Sequence, residues 1–396
     1  LALLLALDVL LDLSGKQMCQ CAFGLHCPGG ITHNVWVCAI AYISFIKLVN
    51  YLFGNQGLFM KKVTFLACML TFQCFGQLAG VQLVSVEIKS SFRALSVVND
   101  NVAWVAGSNG YVGCTNDGGT SWKFGQVKNF EKLDFRSLYA FNQQKAIIAN
   151  AGSPAYILYT NDGGKNWKQV YSNTHADAFI DGVDFWNEKE GLLYGDPIDG
   201  RMLLLRTTDG GKSWKPLPQA PLPEKGEASF AASGTGIRCF NTSEAVMATG
   251  GTVSRLWYSA DKGETWRPIY VPVLQGAGST GIFSVGIRDA TWVVVGGDYQ
   301  QPEQTDKHVF FSTDAGNTWQ VPELPTRGYR ECVEHVTGAT WITVGPTGAD
   351  VSTDNGKTWA TFSDEQGFHT ARKARKGSRV LMTGNSKLSL VNLKPD

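Results

Sequence analysis

The chain is predicted to be all-β, a seven-bladed β-propeller of four-stranded blades, and three observations predict it. A turn motif close to Ser/Thr-x-Asp-x-Gly-x-Thr/Ser-Trp recurs along the chain, with its aspartates at Asp117, Asp162, Asp209, Asp261, Asp314 and Asp354. The steps between copies run from 40 to 53 residues, a period typical of propeller blades. Between the motifs lies a second repeat, a short segment of the Phe/Tyr-Arg or Ser-Phe kind, at 91–97, 134–140, 178–184, 229–235, 279–285, 328–334 and 367–373. Those seven segments are read as the starts of seven innermost strands. Finally, the seventh unit lacks the turn motif, and a strand-like run at 81–88 (Val-Gln-Leu-Val-Ser-Val-Glu-Ile) precedes the first. An N-terminal strand that completes the last blade would pair two edges otherwise left open.

Each element of a blade has its own cause. The apolar runs 102–107, 292–297 and 341–345 are rich in Val, Ala and Trp and end in Gly, as buried strands do. In the turn motif the Asp accepts hydrogen bonds from N–H groups downstream. The Gly two residues later serves a positive φ. The Trp returns in the next strand and buries a large ring between neighbouring sheets. The second copy carries Asn166 where the others carry a hydroxyl residue. All six aspartates are therefore read as scaffold, not catalysts.

The motif resembles the Asp-box, or bacterial neuraminidase repeat, and the span 81–396 resembles the photosystem II stability/assembly factor-like propellers. Sortilin-type and sialidase propellers are more distant likenesses. The resemblance implies an Asp-box at the turn between the two outer strands of each blade, away from the face that takes a ligand. It also implies an assembly or binding role without catalysis.

From residue 80 onward there are 31 basic and 32 acidic side chains, a net charge of −1, so no field for nucleic acid is expected. The one basic run, 372–376 (Arg-Lys-Ala-Arg-Lys), is read as a solvated strand end or turn, with a partner-docking patch as the alternative. Met60-Lys61-Lys62 and the apolar stretch after it read as a secretory signal over 60–76. A secreted or periplasmic monomer follows. Residues 1–59 begin with Leu and hold four of the nine cysteines. They are read as non-native upstream translation, with a membrane anchor as the alternative and the only route to membrane contact. Cys114, Cys239 and Cys332 are expected to be buried thiols.

The starts of the inner strands surround one mouth of the channel, and there the sequence is polar. Arg93, Arg136, Asp181, Ser233, Thr280, Arg330 and His369 fall at that position, with Tyr329 beside them; Asp196 and Asp298 lie in Gly-containing loops. These ten residues form the candidate binding ring. Arg93, Arg136 and Arg330 recur at one repeat position, the chemistry of a carboxylate or phosphate clamp. The competing reading has each Arg bond carbonyls or acids of a neighbouring blade and hold the ring shut. The expected partner is a protein, an anionic small molecule or a glycan.

Other chemistries fit less well. A glycoside hydrolase, sialidase-like or otherwise, is the alternative function, with Asp181, Asp196 and Asp298 as possible carboxylates. The Phe-Arg pairs, however, lack the Ile-Pro that follows in sialidases. The Gly-x-Gly-x-x-Gly match at 276–281 continues as strand instead of opening a helix, so no dinucleotide site is read there. The six histidines are dispersed, and neither metal nor cofactor is expected.

Overall fold

A computed structural model describes residues 78–393, and every element in it is a β-strand. The proposed signal segment 60–76 and the region 1–59 lie outside the described residues. The strands form seven sheets arranged as antiparallel meanders. Blade 1 comprises Ala94–Val97, Ala103–Ala106, Tyr111–Thr115 and Lys123–Gln126. Blade 2 comprises Phe135–Ala140, Ala146–Asn150, Ala155–Thr160 and Lys168–Asn173. In blade 3, Ile180–Phe185, Gly191–Ile198 and Arg201–Thr207 are followed by a fourth strand of only two residues, Lys215–Pro216, because the Pro-rich stretch after it lacks N–H donors. Blades 4, 5, 6 and 7 have innermost strands Ile237–Phe240, Thr280–Arg288, Cys332–Thr337 and Phe368–Lys373.

Blade 7 is completed by Leu78–Val84, which pairs antiparallel with Lys387–Leu393. The closing strand thus begins three residues earlier than read from sequence and ends before 85–88. Blade 5 departs from the others. Its outermost position is held by a single bridge between Phe311 and Gln320. At its inner edge a ribbon of Glu227–Ala228 and Gly250–Gly251 joins the sheet through Gly250 and Gly281.

Apolar side chains from facing sheets fill the space between blades. Ala94, Trp104 and Val112 of blade 1 pack with Leu138, Ile148 and Leu158 of blade 2. The ring of Trp167, from the second Asp-box, meets Trp104 of the preceding blade edge-on at 6.2 Å. The box itself is a closed circuit of hydrogen bonds. The Ser or Thr two residues ahead of each Asp accepts the N–H of the box Gly at 2.8–3.1 Å. One Asp oxygen accepts the N–H four residues on at 2.8–3.0 Å. The other accepts the side chain of that same residue. These bonds hold the carboxyls of Asp117, Asp162 and Asp314 down at about 2, led by the Ser121 hydroxyl, the Asn166 N–H and the Thr318 hydroxyl respectively.

The box requires two consecutive residues with positive φ. The first three copies use Gly-Gly, whereas the last three place Lys262, Ala315 and Asn355 at the first position, with φ of 60°, 57° and 63°. Asn accepts this region readily; Ala does not. Ala315 is exposed, so its methyl group loses nothing on removal. Ala315→Gly is expected to stabilise the protein by about 0.5–1 kcal/mol, strain relief of roughly 1–2 kcal/mol outweighing the added freedom of the unfolded chain. Urea unfolding of the variant beside the parent measures it.

Candidate functional site

The meander fixes which side chains face which end of the channel. Inner strands begin at one mouth, here called upper, and end at the lower mouth. The third strand of each blade runs in the same direction as the first, so the Asp-boxes that follow it lie at the lower rim.

The upper mouth is not an open ring. The segment 229–235 does not begin the inner strand of blade 4; that strand begins at Ile237. Residues 231–236 instead cross the channel as a plug. Ser233 donates its hydroxyl to the Glu331 carbonyl at 2.8 Å and meets Thr235 at 2.5 Å. Thr235 reaches Ser284 of blade 5 at 2.6 Å, and Gly234 accepts from Arg372 of blade 7 at 2.8 Å. The plug passes so close to blade 3 that a side chain at Gly236 would meet the Tyr194 hydroxyl at 2.1 Å. A run of small residues, Ala-Ala-Ser-Gly-Thr-Gly, is what lets backbone enter so narrow a space.

The ten ring candidates therefore divide. Arg93, Ser233 and His369 come together at the upper mouth around Glu331. Arg93 donates Nη1 to Glu331 Oε2 at 2.6 Å and to the Ala232 carbonyl at 3.0 Å. His369 Nδ1 lies 2.8 Å from the same Glu331 oxygen. Arg136 is taken by Asp134 at 2.7 Å. Arg330 leaves the ring altogether. It is fully buried inside blade 6, where Nε and Nη2 donate to Asp350 and Nη1 donates to Thr347 at 2.7 Å. The three guanidinium groups do not converge, and the clamp read from their repeat position is corrected accordingly. The repeat sets the position along the strand but not the direction of the side chain, and the nearest buried carboxylate decides that.

The remaining candidates serve the fold around the mouth. Thr280 donates to the Ala277 carbonyl at 2.9 Å and secures the turn into blade 5. Tyr329 packs edge-on against Phe283 at 4.7 Å, and burial pushes its hydroxyl well above the usual range. Asp298 accepts the Gln300 N–H at 2.9 Å. Asp196 accepts the Ser229 N–H at 2.8 Å, and burial raises its carboxyl. Asp181 is fully enclosed, with neither carboxyl oxygen hydrogen-bonded to a described residue. Burial first, and then the neighbouring Asp196 charge, push it well above its ordinary 3.8.

An open cavity of about 310 Å³ lies at the other end, among the final residues of the inner strands. Its charged lining consists of Arg238, Arg372, Lys373 and Arg375 with Asp184 and Glu334, four cations against two carboxylates. Arg238 of blade 4 spans the channel to the Val285 and Val333 carbonyls and to Glu334, at 2.8, 3.1 and 2.8 Å. Arg372 stands 3.9 Å from Glu334, and its buried Nε has no acceptor among the described residues. Burial and then the Arg238 charge lower its affinity for a proton. Arg375 lies over the Tyr139 ring at 4.3 Å, donates to Ser96 at 3.0 Å, and remains exposed. The basic run at 372–376 is thus a strand end and the turn after it, as read from sequence, and that strand end lines the channel. The signal that could have found it is compositional: the inner strands of blades 3, 4, 6 and 7 each carry an acid or a guanidinium, Asp184, Arg238, Glu334 and Arg372, where a core strand would be apolar. The open cavity is at the Asp-box end, the reverse of the polarity that the resemblance implied.

The comparisons with known proteins agree with this architecture. The profile described as "Photosynthesis system II assembly factor YCF48" matches residues 77–177, the closing strand with blades 1 and 2. The chain resembles the photosystem II assembly-factor propellers. The profile described as "Sortilin, neurotensin receptor 3" matches residues 202–333, from blade 3 to the start of blade 6. No curated protein matches. Among solved structures, "YCF48 bound to D1 peptide" is 17% identical with a TM-score of 0.59, covering 80% of this chain and 98% of that one. YCF48 from Cyanidioschyzon merolae is 16% identical at a TM-score of 0.59, covering 79% and 99%. The GH74 enzyme of Niastella koreensis is 14% identical at 0.52, covering 74% of this chain but 51% of that one. At these identities the structural likeness is one of fold.

Two stability predictions follow from the buried charges. Arg330→Ala takes from the enclosed Asp350 one of its two guanidinium partners, leaving Arg327 Nε at 2.8 Å, and is expected to cost about 1–3 kcal/mol in denaturant unfolding. Asp181 behaves oppositely. The folded chain keeps a proton that the unfolded chain releases, so the carboxyl's contribution is fully present below about pH 3.8 and is lost as pH rises toward the folded value. Asp181→Asn should therefore be more stable than the parent near neutral pH, with the gap closing toward pH 4. Paired unfolding curves at the two pH values measure the difference.

Proposed function

We propose that this chain is an exported binding propeller of the assembly-factor kind, which holds an acidic segment of a protein partner at the lower mouth of its channel. The observation that carries this reading is the open cavity with four cations, of which Lys373 and Arg375 stand at the solvent side. Arg375 presents a guanidinium face, and Arg372 has an N–H without an acceptor, so a carboxylate entering there would gain charge-assisted bonds. The structure described as "YCF48 bound to D1 peptide" supports a protein partner by analogy. Export rests on the basic start at Met60 and the apolar stretch that follows. Binding of this kind requires no chemistry at the cavity. Glycan cleavage receives less support, since Asp181, Asp196 and Asp298 are not among the residues that line the cavity.

The test is fluorescence anisotropy with labelled peptides that end in acidic or in neutral residues. Acidic peptides should bind preferentially, more weakly as salt rises. The Lys373→Ala/Arg375→Ala variant should bind them about tenfold or more less tightly, while Arg136→Ala, at the other mouth, should not change affinity. Equal binding of both peptide classes, or indifference to the double substitution, would sink the lower-mouth reading. N-terminal sequencing of native protein addresses export, with Gln77 the expected first residue.

A further inference from the structure

We infer that the lower-mouth cavity takes the free C-terminus of the protein partner, a terminal carboxylate on an apolar last residue, and not an acidic residue within the partner's chain. The inference rests on the binding role proposed above and narrows it. Three features of the cavity point to a chain end: it is small, it is closed behind, and its unpaired donors are cationic. At about 310 Å³ it lies at the lower end of the range for small-ligand sites, roughly 300–1,000 Å³. A space of that size receives the tip of one chain. A helix, about 10 Å across, or a loop with two arms ~4.8 Å apart needs more room.

The channel offers no way through. Arg372 Nη2 donates to the Gly234 carbonyl at 2.8 Å, so the plug stands directly behind the charged lining. Arg238 spans the channel beside it, from blade 4 to the carbonyls of Val285 and Val333. A chain that enters must therefore stop inside, and only a terminus stops. An aspartate or glutamate also brings a carboxylate, but its backbone continues in two directions. Acids further up the partner's chain stay at the rim, with Lys373 and Arg375.

The charges choose which terminus. Both carboxylates of the lining are already engaged within the protein. Asp184 accepts the N–H groups of Phe185 and Cys239 at 2.9 and 2.8 Å. Glu334 accepts from Arg238 Nη2 and from the Lys373 N–H at 2.8 and 3.1 Å. The donors are less fully used. Arg372 Nε is buried without an acceptor among the described residues, and its Nη1 stands 3.9 Å from Glu334, beyond hydrogen-bond reach. An ammonium terminus would meet like charge there. A carboxylate supplies the missing acceptor and forms charge-assisted bonds where the Arg372 side chain is only 15% exposed and water screens little. The walls are set for the side chain that comes with it: Leu95, Val97, Leu138, Val183, Phe240 and Ile287 also line the cavity. An apolar last residue lying against them buries apolar surface.

The test is fluorescence anisotropy with an acidic peptide that ends in Leu and is labelled at its N-terminus, made once with a free C-terminus and once as the C-terminal amide. The amide keeps every internal acid and removes only the terminal charge. The free form is expected to bind at least about tenfold more tightly. Replacing the last Leu by Ser, with the carboxylate kept, should weaken binding about fivefold or more. Arg372→Gln should bring the free and amidated forms within about twofold of each other. Should Arg372→Gln fail to fold, the two peptide forms on the parent chain remain the measurement. Equal affinity for the two forms, with acidic peptides still preferred over neutral ones and weakened by Lys373→Ala/Arg375→Ala, would overturn the inference and leave the lower-mouth binding role standing. A preference for the free form that persists undiminished in Arg372→Gln would also overturn it, since the carboxylate would then be felt only at long range. Absence of any preference for acidic peptides would remove the binding role and this inference with it.

Discussion

Closure of the ring is the constraint on which everything else depends. Seven sheets converge on one axis, and blade-to-blade cohesion comes chiefly from side chains packed between facing sheets. The ring stays shut only if its last sheet is complete, and that is the work of the antiparallel ladder between Leu78–Val84 and Lys387–Leu393. This ladder joins the two ends of the described chain through backbone hydrogen bonds and covers the edge of blade 7. Once the ring is closed, the inner strands are fixed side by side and their polar residues must find partners across a narrow channel.

That requirement explains the channel's contents. Burying a charge without a partner is costly, and the chain meets this with pairs that link non-neighbouring blades. Arg93 crosses from blade 1 to Glu331 of blade 6, and Arg238 crosses from blade 4 to Glu334 of the same blade. The plug at 231–236 adds neutral hydroxyls and carbonyls as further partners. The upper half is filled in this way and the lower half keeps a cavity. The asymmetry arises because one unit of the repeat sends a loop of small residues across the axis where the other six send a strand.

The fold was legible in the sequence and the site largely was not. The Asp-boxes could be read because each is a local circuit, closed within seven residues by a hydroxyl, a carboxylate and a glycine. The inner strands of blades 1, 2, 3, 5 and 7 could be placed because their starts repeat. Blade 4 could not, since Ser229 to Thr235 mimics a strand start while its backbone serves as the plug. Arg330 shares its repeat position with Arg93 and Arg136, yet Asp350, twenty residues away in sequence, draws it into the blade. The approach of Ser91 to His369, 278 positions apart, has no local signature at all.

The sequence by itself determined the repeat, the number of blades, the turn at the end of each third strand and the need for a closing strand. All of these rest on short-range hydrogen bonding and on the alternation of apolar side chains. Tertiary structure alone decided which mouth is filled, which arginines are consumed by carboxylates and which charges share the open cavity. Those outcomes depend on contacts between residues brought together only when the ring closes, and the direction of a side chain at a repeat position is set by the partner it meets there.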